Sequence, residues 1–202
     1  MKTVLALSGG MDSGTLLFDL HQQGDELHAV TFDYGQRHNK EIESSQKLCD
    51  HLQVPHQIIQ LHQVFGGSAL TGQGDIPYGH YAEESMKSTV VPNRNMVMIS
   101  IAASIALQRN CDRVAYCCHA GDHTIYPDCR PEFVGRMHEA LQICDWSPVA
   151  LHAPYVNMTK RDIAQRAKQL NVPLDMTWTC YEGGELPCGK CGSCVERAEA
   201  LA

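Results

Sequence analysis

Apolar residues follow two rhythms along this chain. Short unbroken runs alternate with longer stretches in which apolar side chains recur every three or four positions. The runs Val4–Leu7 and Leu27–Asp33 predict buried strands, and His56–Leu61, Arg113–Cys118 and Val149–Tyr155 predict three more strands. The stretches Ser13–Gln23, Asn39–Leu52, Met96–Leu107, Glu132–Ile143 and Lys160–Leu170 predict helices. In the second of these, Ile42, Ser45, Leu48, Cys49 and Leu52 form one stripe. Met96–Leu107 is apolar nearly all round, so it predicts a central buried helix. Pro131 suits a first helical turn, and Thr159 reads as an N-cap with Asp162 one turn on. The alternation argues for an α/β chain with a doubly wound parallel sheet.

One stretch breaks the rhythm. Residues Val64–Val91 carry Gly66, Gly67, Gly72, Gly74, Pro77 and Gly79 and few long apolar runs. A connection this long is functional or disordered. It reads either as a lid facing the substrate or as a disordered insertion.

The chemistry concentrates after the first strand. Ser8-Gly9-Gly10-Met11-Asp12-Ser13 is a tight glycine turn that opens a helix. Backbone N–H groups at a helix N-terminus, with the helix dipole behind them, suit a phosphate. Ser8, Ser13 and Thr15 offer hydroxyls to phosphate oxygens, and Asp12 can hold Mg²⁺ beside them. The turn has neither the G-x-G-x-x-G nor the G-x-x-x-x-G-K-[ST] pattern. Further on, Asp33–His38 lies where a parallel sheet places ligands. Arg94 stands at the mouth of the apolar helix, placed for an anion. His119–Arg130 is a loop dense in polar groups after the fourth strand.

Composition narrows the class. The chain has 202 residues, 44% of them hydrophobic, enough for one α/β domain with a small appendage. No apolar run reads as membrane-spanning, and the N-terminus lacks a signal-peptide pattern. A formal charge of −7 argues against a broad nucleic-acid face. Of ten cysteines, four crowd the C-terminus as Cys180-x7-Cys188-x2-Cys191-x2-Cys194. Four thiolates at that spacing suit a closed tetrahedral Zn²⁺ site, with an iron–sulfur cluster or a redox dithiol as alternatives. Cys49, Cys111, Cys117, Cys118 and Cys144 read as small buried apolar residues of a cytoplasmic protein with reduced thiols.

SGGMDS resembles the signature of the PP-loop ATP pyrophosphatases, which adenylate a carboxyl or carbonyl oxygen and release pyrophosphate. More motifs narrow the match: FDYGQRH (Phe32–His38), VPNRN (Val91–Asn95), YPDCRPEF (Tyr126–Phe133) and TWTCYEGGELPCGKCGSC (Thr177–Cys194). Together they resemble the 7-cyano-7-deazaguanine synthase family of the queuosine and deazapurine pathway.

That resemblance implies a Rossmann-like fold of the adenine nucleotide alpha hydrolase type, with ATP and Mg²⁺ as cofactors, one Zn²⁺ on the cysteines, and a homodimer. It implies a PP-loop domain over residues 1–175 and a zinc-binding segment over residues 176–202. The substrates would be 7-carboxy-7-deazaguanine and ammonia, with no direct nucleic-acid or membrane partner. Residues Leu7, Ser8, Gly9, Gly10, Met11, Asp12, Ser13, Gly14, Thr15, Leu16 and Leu17 would bind ATP. Asp12, Ser13, Lys160 and Arg94 would be catalytic. Asp122, Asp128, Arg130 and Glu132 would face the deazaguanine. Before YPDCRPEF the chain reads HAGDHTI, where an asparagine-rich or D-Y-S-G-type run is the family's pattern. That departure leaves open an enzyme that stops at the amide; separately, the PP-loop signature leaves open a PP-loop enzyme that thiolates tRNA.

Overall fold

The computed structural model describes residues 1–72, 75–79 and 84–202. Five parallel strands form one sheet in the order β3-β2-β1-β4-β5. They are β1 (Lys2–Ala6), β2 (Glu26–Asp33), β3 (His56–Gln60), β4 (Arg113–Ala115) and β5 (Ala150–His152). β1 is central: Val4 pairs in register with His28 on one side and Val114 on the other. The chain winds outward from β1 through β2 and β3, then returns to lay β4 and β5 on the other flank. Its switch point therefore lies between β1 and β4, where an open parallel sheet leaves a crevice at the strand C-termini.

Alternation along the strands divides the core in two. Leu5, Ala29 and Ala115 face α1 (Met11–Gln22), α2 (Lys40–Leu52) and α5 (Lys160–Gln169), against Leu16, Leu17, Leu20, Leu48 and Ile163. Val4, Val30, Phe32 and Val114 face the other way, onto α3 (Arg94–Gln108) and α4 (Pro131–Gln142). This is the helix-on-both-faces packing that a parallel sheet requires. A last helix, α6 (Gly192–Leu201), packs on α5.

Several expectations need correction. α3 is not buried all round: Ile99, Ala102, Ala103, Ile105 and Ala106 are covered, but Met96 is 47% exposed. Small residues on its inner side let it sit close to β1 and β4 and leave larger ones outside. The helical run Met86–Gln108 is also long and apolar enough to meet a membrane-span criterion. It is broken by Asn93 at φ +58°, and its inner side is spent on the sheet. Cys144 is exposed, Cys111 half-buried, and Cys117 opens onto a cavity, unlike buried Cys49 and Cys118.

The Val64–Val91 connection is anchored rather than loose where it is described. Ala69, Leu70, Ile76 and Met86 are buried in the α3-side core. Leu70 also lines the cavity described below. The parts of that stretch at 73–74 and 80–83 lie outside the described residues.

One buried polar knot ties α1 to α5. Asp19 accepts from Tyr155 Oη at 2.8 Å and from Arg166 Nη2 at 2.6 Å. Burial pushes its carboxyl up, but these donors outweigh it and hold it below the usual range. Asp19→Ala strands the Tyr155 hydroxyl, which is 3% exposed. We expect a loss of about 2–3 kcal/mol in urea unfolding; a loss under about 0.5 kcal/mol would show the knot to be unimportant.

Candidate active site

The glycine turn follows from its neighbours. Gly9 holds φ +79°, and a Cβ there would stand 2.1 Å from the Glu41 carbonyl oxygen at the start of α2. Only glycine admits both the conformation and the contact. Gly10 caps α1 without a side-chain hydrogen bond, so the first N–H groups of the helix stay open to a ligand. Ser8 and Ser13 hold the turn together, Oγ to Oγ at 2.9 Å, and Ser8 N–H donates to Ser13 Oγ at 3.2 Å. The Trp178 amide donates to the Gly9 carbonyl at 3.0 Å, which ties the C-terminal segment to the turn.

A cavity of about 240 Å³ opens over this turn, at the strand C-termini. Leu7, Ser8, Gly10, Met11, Asp12 and Ser13 line it; Gly9 instead packs under α2. The rest of the Leu7–Leu17 stretch turns away. Gly14 packs on Leu48, and Leu16 and Leu17 are fully buried core. The Thr15 hydroxyl is used up by the Met11 carbonyl at 2.7 Å, so it is not offered to a phosphate.

Lys160 enters from the N-terminus of α5, which Thr159 and Asp162 cap reciprocally. Its Nζ lies 2.5 Å from Asp12 Oδ2 and 3.3 Å from Glu196 Oε2. Burial works against the ammonium, but Asp12 and Glu196 outweigh it and raise its pKa above the ordinary lysine value. His119 completes the cluster, with Nε2 3.6 Å from Asp122 Oδ1 and 3.8 Å from both Asp12 Oδ2 and Glu196 Oε1. Asp12 Oδ1 is buried with no hydrogen-bond partner among the described residues. An orphaned carboxylate oxygen beside a turn of open N–H groups fits a hard divalent cation.

The other wall is aromatic and basic. Arg94 lies 5.7 Å over the Tyr34 ring and donates to Tyr34 Oη at 3.3 Å. Glu41, Arg37, Trp178 and Tyr181 line the same wall. Burial pushes the Glu41 carboxyl up to about 7, with Arg94 pulling it back.

The four residues expected to face the deazaguanine separate. Asp122 lines the cavity and accepts from the His119 N–H at 3.0 Å. Asp128 lies outside the lining and accepts from the Asn95 N–H at 3.3 Å, at the start of α3. Arg130 and Glu132 are exposed and also outside it; Arg130 Nε donates to the His123 carbonyl at 2.8 Å. A short 3-10 turn at Pro127–Cys129 followed by α4 aims that pair outward.

Glu196 is a cavity residue that the sequence analysis does not single out. Its signal was its spacing, two residues after Cys194 on a helix that the cysteines orient. The Sγ atoms of Cys180, Cys188, Cys191 and Cys194 lie within 4.8 Å of one another. Tetrahedral Zn–S bonds put sulfurs about 3.8 Å apart, close to this grouping. Backbone N–H groups of Lys190 and Cys191 point at Cys188 Sγ, at 3.4 and 3.3 Å, as thiolate ligation favours.

With this geometry in place, comparison with known proteins is decisive. The family model described as "Queuosine biosynthesis protein QueC" matches residues 2–202. The chain belongs to the QueC family. A 7-cyano-7-deazaguanine synthase of Methanoregula boonei is 54% identical over 204 residues, covering 100% of this chain and 94% of that protein. One from Pseudoalteromonas translucida is 48% identical over 203 residues, covering 99% and 93%. Among solved structures, NMN synthetase from Francisella tularensis has a TM-score of 0.53 at 15% identity, covering 93% of this chain and 70% of that one. The U34-tRNA thiolase NcsA from Methanococcus maripaludis has a TM-score of 0.52 at 15% identity. This chain spans 64% of NcsA, and the likeness is one of fold.

The raised Glu41 carboxyl predicts a pH signature. Its proton is held more tightly in the folded state than in the unfolded one. The resulting stability is full below about pH 4.5 and is lost as pH rises through about 7. In urea melts of unliganded, metal-loaded protein, Glu41→Gln should therefore gain on the parent chain between pH 5 and 8. A difference independent of pH would place Glu41 in solvent rather than under protein.

Proposed function

We propose that this chain joins 7-carboxy-7-deazaguanine to ammonia at the expense of ATP and carries the product on to 7-cyano-7-deazaguanine. The reading is carried by the open N-terminus of α1 facing Lys160 and the orphaned Asp12 oxygen, all in a QueC-family chain.

A carboxylate resists attack because its leaving group would be oxide. In the first round its oxygen bonds to the α-phosphorus of ATP and pyrophosphate leaves. Ammonia then bonds to the carbonyl carbon, a proton is lost, and AMP departs with the oxygen, leaving the amide. In the second round the amide oxygen bonds to the α-phosphorus of a second ATP and pyrophosphate leaves; AMP then departs with that oxygen, and loss of both N–H protons yields the nitrile.

The chain's own residues divide this work. N–H groups at the start of α1, with Ser8 and Ser13, hold phosphate oxygens. Lys160, kept charged by its two carboxylates, neutralises charge that builds on the α-phosphate and carbonyl oxygens. Asp12 would hold Mg²⁺, which supplies charge neutralisation on the polyphosphate. Cys180, Cys188, Cys191 and Cys194 would hold Zn²⁺ as a closed structural site. Residues 1–175 act as the PP-loop domain, and residues 176–202 as a segment seated on it through Trp178 and α6.

The protein is proposed to work as a cytoplasmic homodimer. Trp146 and Ile143 are 101% and 84% exposed, and with Met96 they give it apolar surface to cover. Sedimentation should give twice the 22.4 kDa chain mass; a monomer at micromolar concentration would end that reading.

Mass spectrometry of a reaction holding the carboxylic acid, ATP, Mg²⁺ and ammonium should find the nitrile and AMP. Accumulated amide would mean that the chain stops halfway, and an unconsumed acid would remove the substrate assignment. Asp12→Ala should lower turnover by at least about 100-fold with fold and zinc content intact. Cys191→Ser should instead lose zinc and melt lower, because metal binding contributes folding free energy.

A further inference from the structure

Among the cavity's carboxylates, Glu41 is the one without a task. Asp12 and Glu196 share Lys160, and Asp122 accepts from the His119 N–H. Glu41 makes no hydrogen bond and closes no ion pair among the described residues. It is nonetheless fixed, because the first turn of α2 is wedged against Gly9 and cannot back away. Its half-buried carboxylate opens onto the cavity, so with no protein donor it is available to a ligand. Its neighbours on the wall are Arg94, the opposing charge that acts on it, and Tyr34.

Two adjacent acceptors beside a fixed cationic donor form a pattern. A guanine-type pyrimidine edge presents O6 as acceptor, then N1–H and the 2-amino group as donors. We propose that Glu41 and Arg94 read that edge: the Glu41 carboxylate accepts from N1–H and the 2-amino group, and Arg94 donates to O6. This rests on the functional reading above. Adenine is a poor fit, since its edge sets one amino donor beside the N1 acceptor, which a carboxylate repels. The ATP base is therefore turned away from this wall and the deazaguanine drawn to it. A bound base that covers the carboxylate but lacks one donor leaves it unpaired, so the site rejects analogues that lack the 2-amino group. Arg94 becomes a reader of the base rather than a phosphate ligand, and the Tyr34 ring beneath it holds the guanidinium in place.

The test compares 7-carboxy-7-deazaguanine with its analogue lacking the 2-amino group, scored by KM in an ATP-to-AMP assay. The parent chain should favour the amino compound by roughly 10- to 100-fold, the range for a hydrogen bond to a charged group. Glu41→Gln keeps the size but turns an NH₂ toward the edge. It should raise KM for the amino compound by a similar factor and bring the preference close to unity. Glu41→Asp keeps the charge on a shorter arm, so it should raise KM while retaining the preference. Zinc content and a thermal melt confirm that each variant is folded. If the parent chain discriminates and Glu41→Gln discriminates equally well, the reader lies elsewhere and the proposal falls while the functional reading stands. If kcat falls with KM and preference unchanged, Glu41 acts in a chemical step and the proposal also falls. If the parent chain consumes neither acid, the functional reading fails first and takes this one with it.

Discussion

A single ammonium holds the working end of this molecule together. Lys160 Nζ lies between Asp12 on α1 and Glu196 on α6, while its own backbone begins α5. Three helices from widely separated parts of the chain therefore meet at one charge. Neither carboxylate is well solvated, so each needs the lysine as much as the lysine needs them. The arrangement also leaves one Asp12 oxygen without a partner. That oxygen is what suits the cation proposed above.

The second constraint is steric. Gly9 allows α2 to press on the glycine turn, and the Trp178 amide fastens the C-terminal segment to the same residue. The turn, the aromatic wall and the cysteine segment consequently share one reference point. What differs across the cavity is character: a cluster of fixed charges around Lys160 on one side, and Tyr34, Arg94 and Glu41 on the other. That contrast suits a reaction whose phosphates and heterocycle must be held at opposite ends of one bond.

The sheet and its helices were legible because their signals are local. The helical stripe on α2 and the Thr159 cap appear where the pattern puts them, and all five strands fall within or beside their runs, though β4 and β5 keep only Arg113–Ala115 and Ala150–His152. The glycine turn was legible for the same reason, as were the four cysteines. Burial of α3 was misread because hydropathy does not say how much of a helix a narrow sheet can cover. Glu196 and Glu41 were passed over because their meaning is wholly tertiary: one acquires it from Lys160, the other from Gly9 and Arg94. Arg130 and Glu132 were grouped with Asp122 by proximity in sequence, but a 3-10 turn carries them to a different surface. A polar loop names its residues without saying which way each one points.

The placement of α6 has a mechanical consequence. Cys194 and Glu196 are two residues apart, about 3 Å along the helix axis. A cysteine knuckle that rocks through 10° would move the helix axis at the level of Glu196 by roughly half an ångström, near the tolerance of a working site. Set two turns further along, the same rocking would sweep it through about 2 Å. The short lever lets a small, loop-rich metal segment act as a precise mount, and it frees the rest of α6 to vary without disturbing the lysine.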